Sequence, residues 1–353
     1  MAIAYRKTRS PASFAIKART IALAHPYLTA TAAAIGALGV AALANRHLAK
    51  KAVRDNPPLG QFLMIDGVRL HYVERGTGEP LVMFHGNGSM IQDFDSSGLI
   101  DLAARKYRVI VFDRPGFGHS ERPRDRIWAP TAQATLFNKA LHRLGVSRAL
   151  VLGHSWGASV AVALALGYPD LVRGLVLASG YYYPTARADV LALSVPALPL
   201  AGDVISHTIS PIASRVVWPV LLTKIFGPQS VPRKFAAFPK EMAVRPSQIK
   251  ASAAESGLMI PSASEFKDRY AELKIPVSII AGENDRLIDL DEQSRRLHGD
   301  VAQSKFHPIP GNGHMVHQTA TTSVMSAIDE VSRTIPAQPA RNVNGKQRAA
   351  LPT

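Results

Sequence analysis

The chain has 353 residues, 47% of them hydrophobic, with 41 Lys/Arg against 26 Asp/Glu and no cysteine. That length can bury a large core, and the lack of cysteine excludes a disulfide framework and any thiolate metal site. The net charge of +15 is concentrated in the ends: residues 1–55 hold nine Lys/Arg and one acid, residues 331–353 hold four Lys/Arg and no acid, and 28 Lys/Arg face 25 acids between them. A nearly neutral body argues against a nucleic-acid-binding face, whereas basic ends suit an anionic membrane surface.

The first element is apolar. Residues 21–44 contain no Asp, Glu, Lys or Arg. As a helix they would reach roughly 36 Å, enough to cross the hydrocarbon core of a bilayer. Pro26 is expected to weaken the first turn, leaving 27–44 as the span. Arg6, Lys7, Arg9, Lys17 and Arg19 precede it, and Arg46, Lys50, Lys51 and Arg54 follow, so charge does not decide its orientation. A single-pass membrane anchor is expected for the segment 1–56. A signal peptide cleaved near Ala42-Leu43-Ala44, giving a secreted or periplasmic protein, and a helix lying on a surface are the alternatives.

Asn56-Pro57-Pro58-Leu59-Gly60 reads as a linker into a body spanning 57–335. Alternation over 62–74 around Asp66-Gly67 predicts an opening hairpin. Strands are predicted at 81–84, 109–113, 149–153 and 175–178, with helical stretches between them. That alternation predicts an α/β fold with a mostly parallel central sheet covered by helices on both faces.

Gly153-His154-Ser155-Trp156-Gly157 lies between the apolar run 149–152 and a small-residue helical run, 158–168. In a strand–turn–helix context G-x-S-x-G lifts the serine hydroxyl above a sheet. The glycines are expected to let the backbone turn sharply without a Cβ clash. From 181 to about 270 ten prolines punctuate apolar segments, which predicts short helices broken by proline, forming an inserted cap. Its apolar side chains would line a substrate pocket or pack its own core. One of Tyr181, Tyr182 and Tyr183 would face the pocket.

A serine hydroxyl needs a base, and the base a carboxylate to orient it. The strand 275–281 runs into Gly282-Glu283-Asn284-Asp285, and 305–308 is followed by Gly311-Asn312-Gly313-His314. Ser155, Asp285 and His314 are thus the candidate catalytic residues, in the chain order of G-x-S-x-G hydrolases. Glu283 and Asp289 are the reserve acids.

These segments, with His85-Gly86-Asn87-Gly88 and Asp113-Arg114-Pro115-Gly116-Phe117-Gly118-His119-Ser120, resemble the cap-bearing enzymes of the α/β-hydrolase fold superfamily over roughly 61–331. The resemblance implies an oxyanion hole built from the backbone N–H groups of Asn87 and Trp156, with the Asn87 side-chain amide as an alternative donor. It also implies attack on an acyl carbon, since dehalogenases and epoxide hydrolases of this fold carry aspartate where Ser155 stands. The expected enzyme is a carboxylesterase-like serine hydrolase (EC 3.1.1 class) acting on a hydrophobic small-molecule acyl substrate. A ring-cleavage-type C–C hydrolase, a prolyl-aminopeptidase-like enzyme and a non-catalytic binding member are the alternatives.

Other polar residues are assigned structural roles: His85, His154, and Asp113 with Arg114 at a turn. His317 follows His314 by three residues, but H-x-x-H is not the H-E-x-x-H zinc pattern. Gly116-Phe117-Gly118 lacks the third glycine of a dinucleotide fingerprint. No cofactor, metal or nucleic-acid partner is expected. The basic tail 336–353, poor in apolar residues, is expected to be disordered.

Overall fold

A computed structural model describes residues 25–186 and 188–334; the expected basic leader before residue 25 and the tail 336–353 lie outside them. Helix α1 spans Pro26–Asp55, longer than expected. Pro26 opens it rather than weakening it, because a first-turn residue has no intrahelical acceptor for an N–H and proline's φ already suits the helix. Beyond residue 44 the helix continues because it acquires partners. Asn45 Nδ2 donates to the carbonyls of His207 (3.0 Å) and Thr208 (2.8 Å), and Arg215 Nη1 donates to Asn45 Oδ1. Ala52 is buried in a cluster with Phe226, Phe235, Phe238 and Met242.

Strands β1 (Gln61–Ile65) and β2 (Val68–Arg75) form the expected hairpin. Asp66 and Gly67 both have positive φ, 47° and 76°, as a two-residue turn of the primed type requires. The chain continues through β3 (Glu79–Phe84), α2 (Ile91–Ser97), α3 (Leu99–Ala103), β4 (Tyr107–Phe112), α4 (Pro130–Arg143), β5 (Ala149–His154), α5 (Trp156–Gly167) and β6 (Val172–Ala178). After an insertion come β7 (Val277–Gly282), a π-helical turn leading into a short helix, and β8 (Ser304–Ile309). The eight strands form one sheet in the order β1-β2-β4-β3-β5-β6-β7-β8. All neighbours beyond β4 pair in parallel.

Side-chain alternation in β3 builds a core on each face. Val82 and Phe84 pack with α4 and α5, while Leu81 and Met83 pack with α2 and α3. Since β5 lies mid-sheet, the chain leaving its C-terminal edge emerges at the centre of the molecule.

The insertion between β6 and β7 is helical: α6 (Ala188–Ser194), α7 (Ala201–His207), α8 (Ile209–Phe226), α9 (Lys240–Ala243) and α10 (Pro246–Phe266). Two expected breaks are absent, because α8 runs through Pro219 and α10 through Pro261. Pro219 removes the N–H that would reach the Arg215 carbonyl, and it does so on an exposed stretch of the helix. The apolar side chains of this insertion also depart from expectation. Phe226, Phe235 and Phe238 pack inward, but Leu191, Leu200, Val204, Val216 and Val220 face outward.

Candidate active site

Ser155 sits between β5 and α5 with φ 53° and ψ −120°. A non-glycine residue there stores about 1–3 kcal/mol of backbone strain, and the flanking structure must hold it. The hold is visible: Ser155 N–H donates to the Ala178 carbonyl of β6 at 2.9 Å. The glycines spare the elbow a Cβ clash, as expected. The positive φ falls on Ser155, while Gly153 and Gly157 permit close approach. A Cβ on Gly157 would lie 2.1 Å from the Phe84 carbonyl, and one on Gly153 would lie 2.3 Å from the Gly157 carbonyl. Bare backbone brings α5 down onto β3 and β5, which fixes the height of the serine.

The loops after β7 and β8 bring Asp285 and His314 together. Asp285 Oδ2 and His314 Nδ1 are 2.7 Å apart, and both side chains are almost fully buried. The other carboxylate oxygen accepts the N–H groups of Leu287 (2.8 Å) and Ile288 (3.0 Å), which fixes the plane of the acid. The reserve acids are not used here: the Asp289 side chain caps the Glu292 N–H, and Glu283 is exposed. With Nδ1 on the acid, Nε2 of His314 is the nitrogen free to exchange a proton. Ser155 Oγ forms no hydrogen bond among the described residues, a common state before substrate closes the site.

The loop after β3 faces the elbow across Gly86, where a Cβ would lie 3.1 Å from Ser155 Cβ. Trp156 N–H, in the first turn of α5, has no acceptor within its own helix. The backbone N–H of Asn87 forms no hydrogen bond among the described residues. The Asn87 side-chain amide is not a spare donor, however: Nδ2 donates to the Ser252 carbonyl (3.1 Å) and the Ser256 hydroxyl (3.2 Å) of α10. This corrects the side-chain alternative, because both hydrogens of that amide are taken up by the cap.

Arg114 does more than fix a turn. Its guanidinium forms a buried pair with Glu255 of α10, donates Nε to the His85 carbonyl (2.8 Å) and donates Nη2 to the Gly86 carbonyl (2.9 Å). Gln133 of α4 completes the cluster with bonds to both charged partners. One arginine therefore ties the Asn87 loop to the cap and to the core. Sequence reading missed this because Glu255 lies 141 positions away. The only available signal was an acid in the otherwise uncharged middle of α10.

His85, His154 and His317 are buried and hydrogen-bonded within the fold. His85 donates Nδ1–H to the Gly86 carbonyl and accepts the Arg114 N–H at Nε2; burial, aided by Arg114, pushes its pKa down to about 3. His154 donates to the His314 carbonyl and is held neutral chiefly by burial. His317 is fully buried against Asp93, at 2.9 Å. Burial works to raise the Asp93 pKa, yet His317 outweighs it and the carboxyl sits below its usual range. Asp93, His154 and His317 are close enough together to hold a cation in principle. Asp113 also has a structural role, accepting from Ile91 N–H and His119 N–H while contacting His71. A Cβ on Gly118 would lie 2.0 Å from its carboxylate, so the turn requires glycine.

The tyrosines after β6 are packed in. Tyr182 and Tyr183 donate their N–H groups to Gln293 Oε1, and Tyr183 Oη donates to Asp300 at 2.6 Å. Tyr181 joins a small cluster with Ala263 and Ile288.

Comparison with known proteins places this geometry. Haloalkane dehalogenase 2 of Mycobacterium bovis and of Mycobacterium tuberculosis is 34% identical over 125 residues, which is 35% of this chain and 42% of that enzyme. The chain thus matches less than half the length of those relatives. 2-Hydroxy-6-oxononadienedioate/2-hydroxy-6-oxononatrienedioate hydrolase 2 of Pseudomonas putida is 29% identical over 260 residues, 70% of this chain and 85% of that protein. Among solved structures, a bacterial membrane phospholipase A superposes with a TM-score of 0.60 at 18% identity, covering 90% of this chain and 97% of that one. The alpha/beta hydrolase fold profile matches residues 79–321. The sheet order, the serine turn at the end of β5 and that match together show that the chain belongs to the alpha/beta hydrolase fold family.

Proposed function

We propose that the chain is a membrane-anchored serine hydrolase of the carboxylesterase type, acting on hydrophobic acyl esters. The observation that carries the reading is the 2.7 Å Asp285–His314 bond, presented on neighbouring strand ends beside a serine held at φ 53°. In this reading Ser155 Oγ attacks the acyl carbon while His314 Nε2 takes its proton. Asp285 keeps Nδ1–H in place and stabilises the imidazolium. Negative charge on the carbonyl oxygen meets the N–H groups of Asn87 and Trp156. His314 then gives its proton to the departing alkoxide. In the second half it takes a proton from water, which attacks the acyl-enzyme and releases the acid and Ser155. Serine at the elbow supports acyl transfer over halide displacement, despite the dehalogenase relatives, because displacing a halide needs a carboxylate nucleophile.

The anchor rests on α1, whose apolar 18-residue stretch has none of its residues buried. A C–C hydrolase is the second reading, favoured by the relative that aligns over 85% of its own length. Hydrolysis of short p-nitrophenyl esters and fluorophosphonate labelling, both lost in Ser155→Ala with folding intact, test the proposal. Full ester turnover by that variant would overturn it. Turnover of a vinylogous diketone but no ester would transfer the site to the second reading, and absence of labelling would favour a non-catalytic member.

A further inference from the structure

Many apolar side chains of the cap point outward. Leu200 and Val216 are 83% and 72% exposed, with Leu191, Val204, Val217 and Val220 beside them, all on α6–α8 or the turn entering α7. Helix α8 alone is apolar and long enough to meet the composition of a membrane span, yet only 11% of it is buried. A patch of this kind on a soluble surface would promote aggregation.

Its position relative to α1 identifies the occupant. The uncharged stretch of α1 ends at Ala44, and the next residue, Asn45, is bonded to His207 and Thr208 at the α7–α8 corner. The point where a bilayer's hydrocarbon would end along α1 is therefore level with that corner. Arg46 follows at once, with Lys50, Lys51 and Arg54 further along the helix.

Beside the corner a cleft of about 1140 Å³ opens between α7, α10 and residues 116–128, with Val53, Ile127 and Leu200 on its apolar walls. Arg122, Arg124, Arg126, Arg245 and Lys250 also line it. Asp203 pairs with Arg124 and Lys250, and Asp125 pairs with Arg126. Arg122 and Arg245 have no carboxylate partner among the described residues. Arg122 donates to the Pro115 carbonyl, while Arg245 donates to the carbonyls of Met242 and Gly118 and to Gln248. Burial lowers the pKa of both guanidiniums, Arg122 to about 10, against a smaller opposing pull from Glu255 on Arg122 and from Asp113 on Arg245, neither of them in direct contact.

We propose that the α6–α8 face of the cap docks on an anionic bilayer beside α1, seating its apolar side chains among the acyl chains while Arg122 and Arg245 receive phospholipid headgroups. The charge complementarity and the junction at Asn45 select a lipid surface over a second copy of this strongly basic chain. This goes beyond the anchor assigned to α1, and rests on it.

The absence of cysteine permits a direct test. Single cysteines at Val40, Val204, Val216 and Ser326 (on the helix Thr321–Thr334) in the full chain carry a nitroxide, and the protein is placed in nanodiscs of phosphatidylcholine with or without phosphatidylglycerol. Labels at 204 and 216 should lose collisions with an aqueous relaxation agent and gain collisions with oxygen when phosphatidylglycerol is present, as position 40 does in both compositions. Position 326 should stay aqueous. Labels at 204 and 216 as water-accessible as 326 in both discs, with 40 in lipid, would overturn docking and leave the anchor standing. Water access at 40 as well would remove the anchor too. Dipolar broadening between labels at 216 would give the face to a second copy. Arg122→Gln and Arg245→Gln should each weaken the phosphatidylglycerol dependence. An unaltered dependence in both would overturn the headgroup assignment. Ester turnover in detergent, measured in parallel, reports on Ser155 separately.

Discussion

Replacing Glu255 by glutamine tests the link between cap and catalytic loop. Both side chains of the Arg114–Glu255 pair are fully buried, at 0% exposure, so neither charge is screened by water. Removing one charge of such a pair strands the other, at about 3–5 kcal/mol. Glutamine can still accept one guanidinium bond, which places the loss near the lower end, about 3 kcal/mol. Catalysis should fall as well. Arg114 holds the His85 and Gly86 carbonyls at 2.8 and 2.9 Å, and a shift there moves the Asn87 N–H. A displacement of that kind costs on the order of 10²-fold in kcat. Urea unfolding of the full chain in detergent and p-nitrophenyl ester kinetics measure the two effects. The double variant Arg114→Met, Glu255→Met should regain most of the stability, since no charge is stranded, but not the kcat, since the loop carbonyls lose their donor. A Glu255→Gln variant that unfolds at the wild-type urea concentration with unchanged kcat would refute the reasoning. So would a double variant that recovers both.

Asp285→Asn should preserve folding yet lower kcat by about 10⁴-fold, because asparagine does not hold the imidazole in the working tautomer. Steady-state turnover close to wild type would remove Asp285 from the proposed triad. Gly157→Ala drives a Cβ to 2.1 Å from the Phe84 carbonyl, and should cost at least the 1–3 kcal/mol typical of overpacking. A wild-type melting temperature in that variant would contradict the packing described for the elbow. Acid should destabilise the protein through His85, whose pKa falls from 6.5 to about 3 on folding. The unfolded chain then binds the extra proton, so stability is full above pH 6.5 and declines below it, by about 2 kcal/mol between pH 7 and pH 5. The urea midpoint of His85→Gln should show a correspondingly flatter pH dependence, and an identical slope would assign the acid sensitivity elsewhere.

Much of the site was legible in sequence because its signals are local. Ser155 and Asp285 each follow an apolar strand closely, His314 leaves a glycine-rich loop after β8, and strand ends in a parallel sheet converge on one edge. The hairpin at Asp66-Gly67 follows from two-residue alternation, and the central strands from short continuous apolar runs, as expected of strands buried on both faces. Proline was over-read: Pro26 opens a helix, where its missing N–H costs nothing, and Pro219 and Pro261 lie within helices that run through them.

The sequence by itself determined the hydrolase fold, the order of the candidate triad and the existence of an uncharged N-terminal stretch, each read from short local segments. Only the tertiary structure decided that Arg114 reaches Glu255, that the Asn87 amide belongs to the cap, and that Asn45 joins α1 to the α7–α8 corner. It also decided which way the cap's apolar residues point. Composition records how hydrophobic a helix is, but its outward face depends on which surface the rest of the chain has already covered.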